Sequence, residues 1–264
     1  MKKEREHKNA VLIVAFGTSV PEAAVALHEV ENRVRKSHRE MEVRWAYTSK
    51  TIRSRFAAGG KTIDSPETAL SRLMGEGYTH VGVLSLHVVP GKEFHDLFSN
   101  AMRFAQMRGG FEKIRVARPL LGNHEDLSRV ADALCARFSL ADSLEGVVFI
   151  GHGNRRHPSD ALYIAMDSLL RDRNPNLFAG TVQGNPSPEQ IIPKLRAAGI
   201  RKVRLIPLMT TAGDHVRKDM AGDIPGSWKS LLAENSIESD ALISGLVEYP
   251  EIVDVWMDHL HEIV

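Results

Sequence analysis

The chain has 264 residues, with 34 Lys and Arg against 33 Asp and Glu, 12 His and a single Cys. That length allows one large or two small domains with a core that needs no covalent staples. The net charge of +1 argues against general duplex DNA binding, which needs a basic stripe, while leaving room for local basic patches, and the lone Cys135 excludes an internal disulfide and any CxxC metal or redox motif.

In chain order, the basic start MKKEREHKNA precedes only a short apolar run, Ala10–Phe16, with no small-residue cleavage site after it. It reads as a solvated tail before a buried strand rather than a signal peptide. No stretch approaches the roughly 20 apolar residues of a membrane helix, and the expected location is the cytoplasm. Beyond the tail, β-branched runs alternate with amphipathic segments. Strands are expected at Ala10–Phe16, Met41–Tyr47, Thr79–Leu86, Lys113–Ala117, Gly146–Gly151, Leu177–Gln183, Lys202–Leu208 and Ser239–Ile243. Helices are expected at Pro21–Lys36, Pro66–Glu76, Glu93–Met107, His124–Phe138, Ser159–Arg171, Pro188–Ala198, Ser227–Glu234 and Pro250–Ile263. Strands apolar throughout imply helices on both faces, and the alternation implies parallel sheets with right-handed crossovers. Cys135 falls on the apolar face of its helix and reads as core.

The chain repeats itself. SPETALSRLMGEGYTHVGVLSLHVVPGKE, starting at Ser65, aligns without gaps to SPEQIIPKLRAAGIRKVRLIPLMTTAGDH, starting at Ser187. Eight of the 29 pairs are identical, against roughly two expected from average residue usage. VAFGTS and FIGHGN align as well, placing Gly17 over Gly153. The expected fold class is therefore α/β, with two similar lobes, each a parallel sheet flanked by helices, and a cleft between them. The expected division is 1–130 and 131–264, joined near His124–Ser143, with the terminal helix able to pack on the first lobe.

Ligands of open parallel sheets bind beyond the carboxyl ends of the strands. In the first lobe those ends carry Phe16, Gly17, Thr18 and Ser19, then Tyr47-Thr48-Ser49, then His87 through Glu93. In the second they carry Gly151-His152-Gly153-Asn154, Gln183-Gly184-Asn185 and Thr210 through His215. His152 stands between two glycines that let a ligand approach the backbone. His215 sits at the corresponding edge two strands later, and two imidazoles at neighbouring strand ends suit a divalent transition metal. Glu93 is the repeat counterpart of His215, and its carboxylate would extend such a site; it also reads as a first-turn acid favoured by the helix dipole. Gln183 offers an amide oxygen as a weak ligand or acceptor. Asp214 reads either as a helix N-cap or as a carboxylate that orients a histidine. His87 and His95 flank Glu93. Arg155, Arg156 and His157 form a basic cluster suited to a polycarboxylate. Thr18 and Ser19 can cradle an anion at a helix start. His259 and His261 read as structural. Neither GxxxxGK[ST] nor GxSxG occurs, and a His-rich metal hydrolase lacks a third clear ligand in the second lobe.

The ordered blocks AFGTS, SLHVVPGKE, FIGHGN, PLMTTAGDH followed by DMAGD, then SWKSLL and ISGLVEYPEI, resemble the anaerobic CbiK-type sirohydrochlorin cobaltochelatases. These are class II tetrapyrrole chelatases, which use no ATP. The resemblance runs from about residue 10 to 262. It implies insertion of Co²⁺ into sirohydrochlorin on the anaerobic cobalamin route, with the macrocycle held between the lobes. By matching motifs, the metal-handling histidines become His152 and His215, and the family glutamate becomes Glu93. Gln183 stands where the family often has Glu, and a neutral amide there neither neutralises a dication nor takes a proton. His152, His215 or Glu93 would accept pyrrole protons. Lys92, Arg155, Thr18 and Ser19 would meet the macrocycle's carboxylates, with Phe16, Gly17, His87 and Gly153 lining the ring. Fe²⁺ or Ni²⁺ insertion into the same macrocycle, and a non-enzymatic carrier of tetrapyrrole or metal, are the alternatives. No nucleic-acid or membrane partner is expected. A homo-oligomer and an accessory haem stay open.

Overall fold

β-branched, apolar runs too short for helices become the strands of a computed structural model that describes residues 5–140 and 144–264. The order is β1 (Asn9–Ala15), α1 (Pro21–Ser37), β2 (Glu42–Tyr47), α2 (Lys50–Ala58), α3 (Pro66–Gly75), β3 (His80–Ser85), α4 (Lys92–Gln106) and β4 (Lys113–Val116). It continues with α5 (His124–Arg137), β5 (Glu145–Gly151), α6 (Asp160–Arg173), β6 (Leu177–Thr181), α7 (Pro188–Ala197), β7 (Lys202–Pro207), a π-helical turn (Val216–Met220), α8 (Trp228–Glu234), β8 (Glu238–Ala241), a 3₁₀ turn (Leu246–Glu248) and α9 (Pro250–His261). The expected α/β class is what the strands form: two four-stranded sheets, ordered β2-β1-β3-β4 and β6-β5-β7-β8, every pairing parallel. The first few residues of the expected tail, 1–4, and the end of the expected junction, 141–143, lie outside the described residues.

The chain divides into two compact units, Met1–Leu120 with Val253–Val264, and Leu121–Ile252. The repeat is built into both. α7 begins 122 residues after α3 (66 to 188) and β7 begins 122 residues after β3 (80 to 202), and each pair has equal length. The two sheet orders are the same permutation. Central strands β1 and β5 are buried along almost their whole length, because helices cover both of their faces.

In the first unit, Leu12, Val14, Leu70, Leu73, Val83, Leu97 and Phe104 share one apolar cluster. The C-terminal segment docks on this unit. A side chain at Gly82 would strike Val264 at 2.5 Å, His259 donates to the Arg118 carbonyl at 3.1 Å, and Arg118 pairs with Glu262. In the second unit, Ile150, Phe178, Ile191, Leu195, Leu205, Met220 and Trp228 form the corresponding cluster.

Two elements and one residue depart from the sequence reading. α2 was not expected, because KTIRSRFAA buries only Ile52 and so has no apolar stripe to read; the Ser49 hydroxyl caps it by accepting the Ile52 N–H. β6 ends at Thr181 rather than Gln183. Its continuation, Val182 and Gln183, still donates to the carbonyls of Gly151 and His152, at 2.9 and 2.8 Å. Cys135 is only half-buried rather than core.

Candidate functional site

The second unit brings its two predicted imidazoles together. His152 follows Gly151, the last residue of β5, and Gly153 has φ +73, a left-handed conformation that glycine adopts without cost. A side chain on Gly153 would meet the Gly184 backbone at 2.6 Å, so the tight turn depends on the absent Cβ. His215 lies beyond β7, just ahead of the π-helical turn. The rings of His152 and His215 are 4.6 Å apart between centroids and nearly perpendicular, at 87°. With metal–nitrogen distances of about 2.1 Å, two imidazoles sharing one ion place their centroids about 4.5–5 Å apart, so the observed spacing suits a shared divalent ion.

The hydrogen bonds also settle which nitrogen each ring presents. His152 Nδ1 lies 2.9 Å from the Gly153 carbonyl. His215 Nδ1 lies 2.6 Å from Asp219 Oδ2. A carbonyl or carboxylate oxygen only accepts, so both Nδ1 atoms carry the proton and each neutral ring keeps its lone pair on Nε2. His152 keeps an exposed side chain, and partial desolvation by the surrounding loops lowers its pKa from the ordinary imidazole value, with neighbouring His215 adding to this against the opposing pull of the Gly153 carbonyl bond. A lowered pKa favours the neutral, ligating form of His152.

Gln183 is solvent-exposed beside this pair. Its N–H donates to the His152 carbonyl and its own carbonyl accepts from Arg155 N–H, at 2.8 and 3.3 Å. The two loops are stitched from beneath by Asp160, which is buried at the start of α6. Its Oδ1 accepts Asn154 N–H at 2.6 Å and its Oδ2 accepts Asn185 N–H at 2.9 Å. Trp228 braces the end of β6 by donating to the Thr181 carbonyl at 3.1 Å. Among the described residues, no three His, Cys, Asp or Glu side chains converge as a metal cluster.

In the first unit, the predicted residues gather at the carboxyl ends of β1, β2 and β3. Gly17 has φ +99, and a side chain there would press on the Tyr47 ring at 2.5 Å. Phe16 and Ser19 are exposed. Thr18 is buried, with its hydroxyl accepting Val20 N–H, so it shapes the turn while Ser19 faces outward. His87 is largely enclosed. Its Nδ1 is 2.8 Å from the Ser85 hydroxyl, its Nε2 is 3.8 Å from Glu93 Oε2, and desolvation pushes its pKa down to about 4. Glu93 stands in the first turn of α4 with nearly half its side chain accessible. Partial burial pushes its carboxyl up, against a 3.5 Å hydrogen bond donated by the Thr48 hydroxyl. Lys92 pairs with Asp96 at 2.5 Å, and Arg155 is exposed in the second unit. His259, by contrast, is buried in its structural place.

Sequence reasoning missed four residues here. Asp214 is already helical, so it is not the residue preceding the helix that caps it; the carboxylate bonded to His215 is Asp219, and the His-x-x-x-Asp spacing was the available signal. Asp160 and Trp228 carry no local signature. Arg55, which donates to the Ser19 hydroxyl at 3.1 Å, sits on the helix that sequence patterning did not reveal.

With this geometry in hand, comparison with known proteins is specific. The sequence profile described as cobalt chelatase (CbiK) matches residues 9–264. The sirohydrochlorin cobaltochelatase CbiKC of Nitratidesulfovibrio vulgaris is 39% identical over 256 residues, covering 96% of this chain and 89% of that protein. The sirohydrochlorin cobaltochelatase of Salmonella typhimurium is 32% identical over 257 residues, covering 97% and 96%. Among solved structures, SirB from Bacillus subtilis with Fe³⁺ superposes with a TM-score of 0.64 at 18% identity, over 97% of this chain and 95% of that one. CbiX, the terminal enzyme of sirohaem biosynthesis in denitrifying bacteria, does so with 0.57 at 17% identity, over 97% and 99%. At such identities the last two speak for the fold alone.

Proposed function

The chain belongs to the CbiK family of cobalt chelatases, and from that membership we infer that it inserts Co²⁺ into sirohydrochlorin, releasing two pyrrole protons without ATP, on the anaerobic route to cobalamin. The observation that carries the mechanism is the perpendicular pair of His152 and His215, 4.6 Å apart with both Nε2 lone pairs available. A chelatase must take up an ion and then give it away. Two imidazoles supply part of a coordination shell and leave the remaining positions to water and then to the pyrrole nitrogens, so the ion is held loosely enough to transfer. The lowered pKa of His152 favours its neutral form, which keeps a lone pair for the ion.

Deprotonation needs an acceptor. A carboxyl whose pKa is raised by partial burial, as that of Glu93 is, binds a proton closer to neutrality than an ordinary surface glutamate and suits the role. We assign the eight carboxylates of sirohydrochlorin to Ser19, Lys92 and Arg155, with Phe16 and Gly17 against the ring and His87 supporting Glu93. Gly153 and Gln183 border the metal-handling pair, where the amide contributes an oxygen but no charge. The partner is the macrocycle, with neither nucleic acid nor membrane required. No described helix is long and apolar enough to cross a membrane, and the reaction is assigned to the cytoplasm.

The test is anaerobic mixing of purified protein, metal-free sirohydrochlorin and Co²⁺, followed by absorption against a no-protein control. Acceleration by the wild type and its loss in His152→Ala and His215→Ala is the expected result. Binding of the macrocycle without acceleration would overturn the reading in favour of a carrier. Faster insertion of Fe²⁺ or Ni²⁺ in competition would overturn the metal assignment.

A further inference from the structure

We propose that Asp219 is a positioning residue for metal capture: it fixes the tautomer and the orientation of His215 so that Nε2, not Nδ1, faces the ion. The proposal rests on the reading of His152 and His215 as the metal-handling pair. Its basis is geometric. Asp219 Oδ2 lies 2.6 Å from His215 Nδ1, a short, charge-assisted contact. The two residues are four apart on a segment that is helical from Asp214 and turns π-helical over Val216–Met220. There the Ala221 N–H reaches back five residues to the Val216 carbonyl at 3.0 Å. Single π-type turns of this kind recur where a helix aims a functional side chain. The turn is anchored by Val216 and Met220, both buried in the core of the second unit, so the backbone under the His–Asp pair is fixed while the pair itself remains partly accessible, at 42% and 33%.

A hydrogen bond this exposed contributes little to folding. Its consequence is chemical. A neutral imidazole exists as either of two tautomers, and only the Nδ1–H form leaves the Nε2 lone pair for a ligand. His152 receives the same constraint from the Gly153 carbonyl. The two rings are thus locked alike, one by backbone and one by Asp219. Asp219 touches neither macrocycle nor ion in this proposal; it acts through His215.

The experiment uses the full chain at fixed neutral pH with three readouts. These are ¹⁵N correlation spectra that report the His215 tautomer, cobalt ligand-field absorption that reports Co²⁺ affinity without macrocycle, and steady-state kinetics that separate KM for Co²⁺ from KM for sirohydrochlorin. For Asp219→Ala we expect His215 to shift toward the Nε2–H tautomer and Co²⁺ affinity to fall about 10–100-fold, the usual cost of removing such a partner. KM for sirohydrochlorin should stay within about twofold, because the change is local to the metal ligand. Asp219→Asn keeps an accepting oxygen and should fall between wild type and alanine. An unchanged tautomer and unchanged Co²⁺ affinity in Asp219→Ala, with affinity lost in His215→Ala, would overturn this proposal alone. Undiminished Co²⁺ binding by His215→Ala would overturn the metal-pair reading and this proposal with it.

Discussion

Replacing Asp160 tests whether a buried carboxylate holds the His152 loop in place. Its two oxygens each accept one backbone N–H, from Asn154 at 2.6 Å and from Asn185 at 2.9 Å. Its side chain fills the space in front of Gly184, where a Cβ would meet Oδ2 at 2.3 Å. Hydrogen bonds to a charged group are worth about 1.5–3 kcal/mol each. The two N–H groups are part-buried rather than sealed, so water recovers some of the loss. Asp160→Ala should therefore destabilise the protein by about 3 kcal/mol, the low end of the sum. For a chain of this size 1 kcal/mol lowers Tm by about 2–4 °C, giving a drop of about 6–12 °C. Asp160→Asn retains one accepting oxygen but turns an NH₂ toward the other N–H donor, so it should lose about half as much. Thermal unfolding followed by circular dichroism measures both. Because Asn154 is two residues from His152, Co²⁺ affinity should fall by about tenfold in the alanine variant, as when other supporting contacts of a metal ligand are lost. An Asp160→Asn protein that unfolds within about 1 °C of wild type would refute the argument that this carboxylate clamps the two loops.

His87 makes the protein sensitive to acid. Its folded pKa of about 4 lies below the ordinary 6.5, so the unfolded chain takes up a proton first and stability falls as pH drops through 6.5 toward 4. At pH 5 the penalty is about 2 kcal/mol; urea unfolding at pH 7 and pH 5 should show it in wild type and not in His87→Phe, and parallel pH profiles would count against it. Gly153→Ala places a Cβ 2.6 Å from the Gly184 backbone at φ +73, so it should cost at least about 1–3 kcal/mol in urea unfolding and weaken Co²⁺ binding; a neutral substitution would mean the loop relaxes freely. Gln183→Glu adds a charge beside the metal-handling pair and should lower KM for Co²⁺ by roughly three- to tenfold, the size of a screened attraction to a dication at several ångströms. A KM unchanged or raised would show that this position does not face the ion.

The elements legible from sequence were those with strong periodicity or repetition. The ungapped alignment of the segments starting at Ser65 and Ser187 anticipated equal-length α3 and α7, and β3 and β7, because a duplicated pattern of buried positions folds the same way twice. β1 and β5 were readable as continuous apolar runs, since a central parallel strand is covered on both faces. α2 was not, because a helix that buries only Ile52 leaves no stripe in the sequence. The end of β6 was overshot because Val182 and Gln183 keep donating to Gly151 and His152 after the regular ladder ends.

By itself, then, the sequence determined the α/β class and the twofold internal likeness, and it marked out the candidate residues: His152 between glycines, His215 after the Gly-Asp turn, and Glu93 at the matching place in the first half. These follow from local rules of periodicity, turn formation and side-chain chemistry. Which groups support them was decided only by tertiary structure. Asp219 meets His215 from four residues on, within a π-helical turn that sets the direction of its side chain. Asp160 reaches two loops from the base of α6, Asn185 being 25 positions away in sequence. Trp228 supports a strand end 47 positions before it. The perpendicular 4.6 Å approach of the two imidazoles joins the ends of β5 and β7, neighbours only because parallel pairing inserts a distant strand beside its partner. Contacts of that range depend on the summed packing of the whole unit, and no local pattern encodes them.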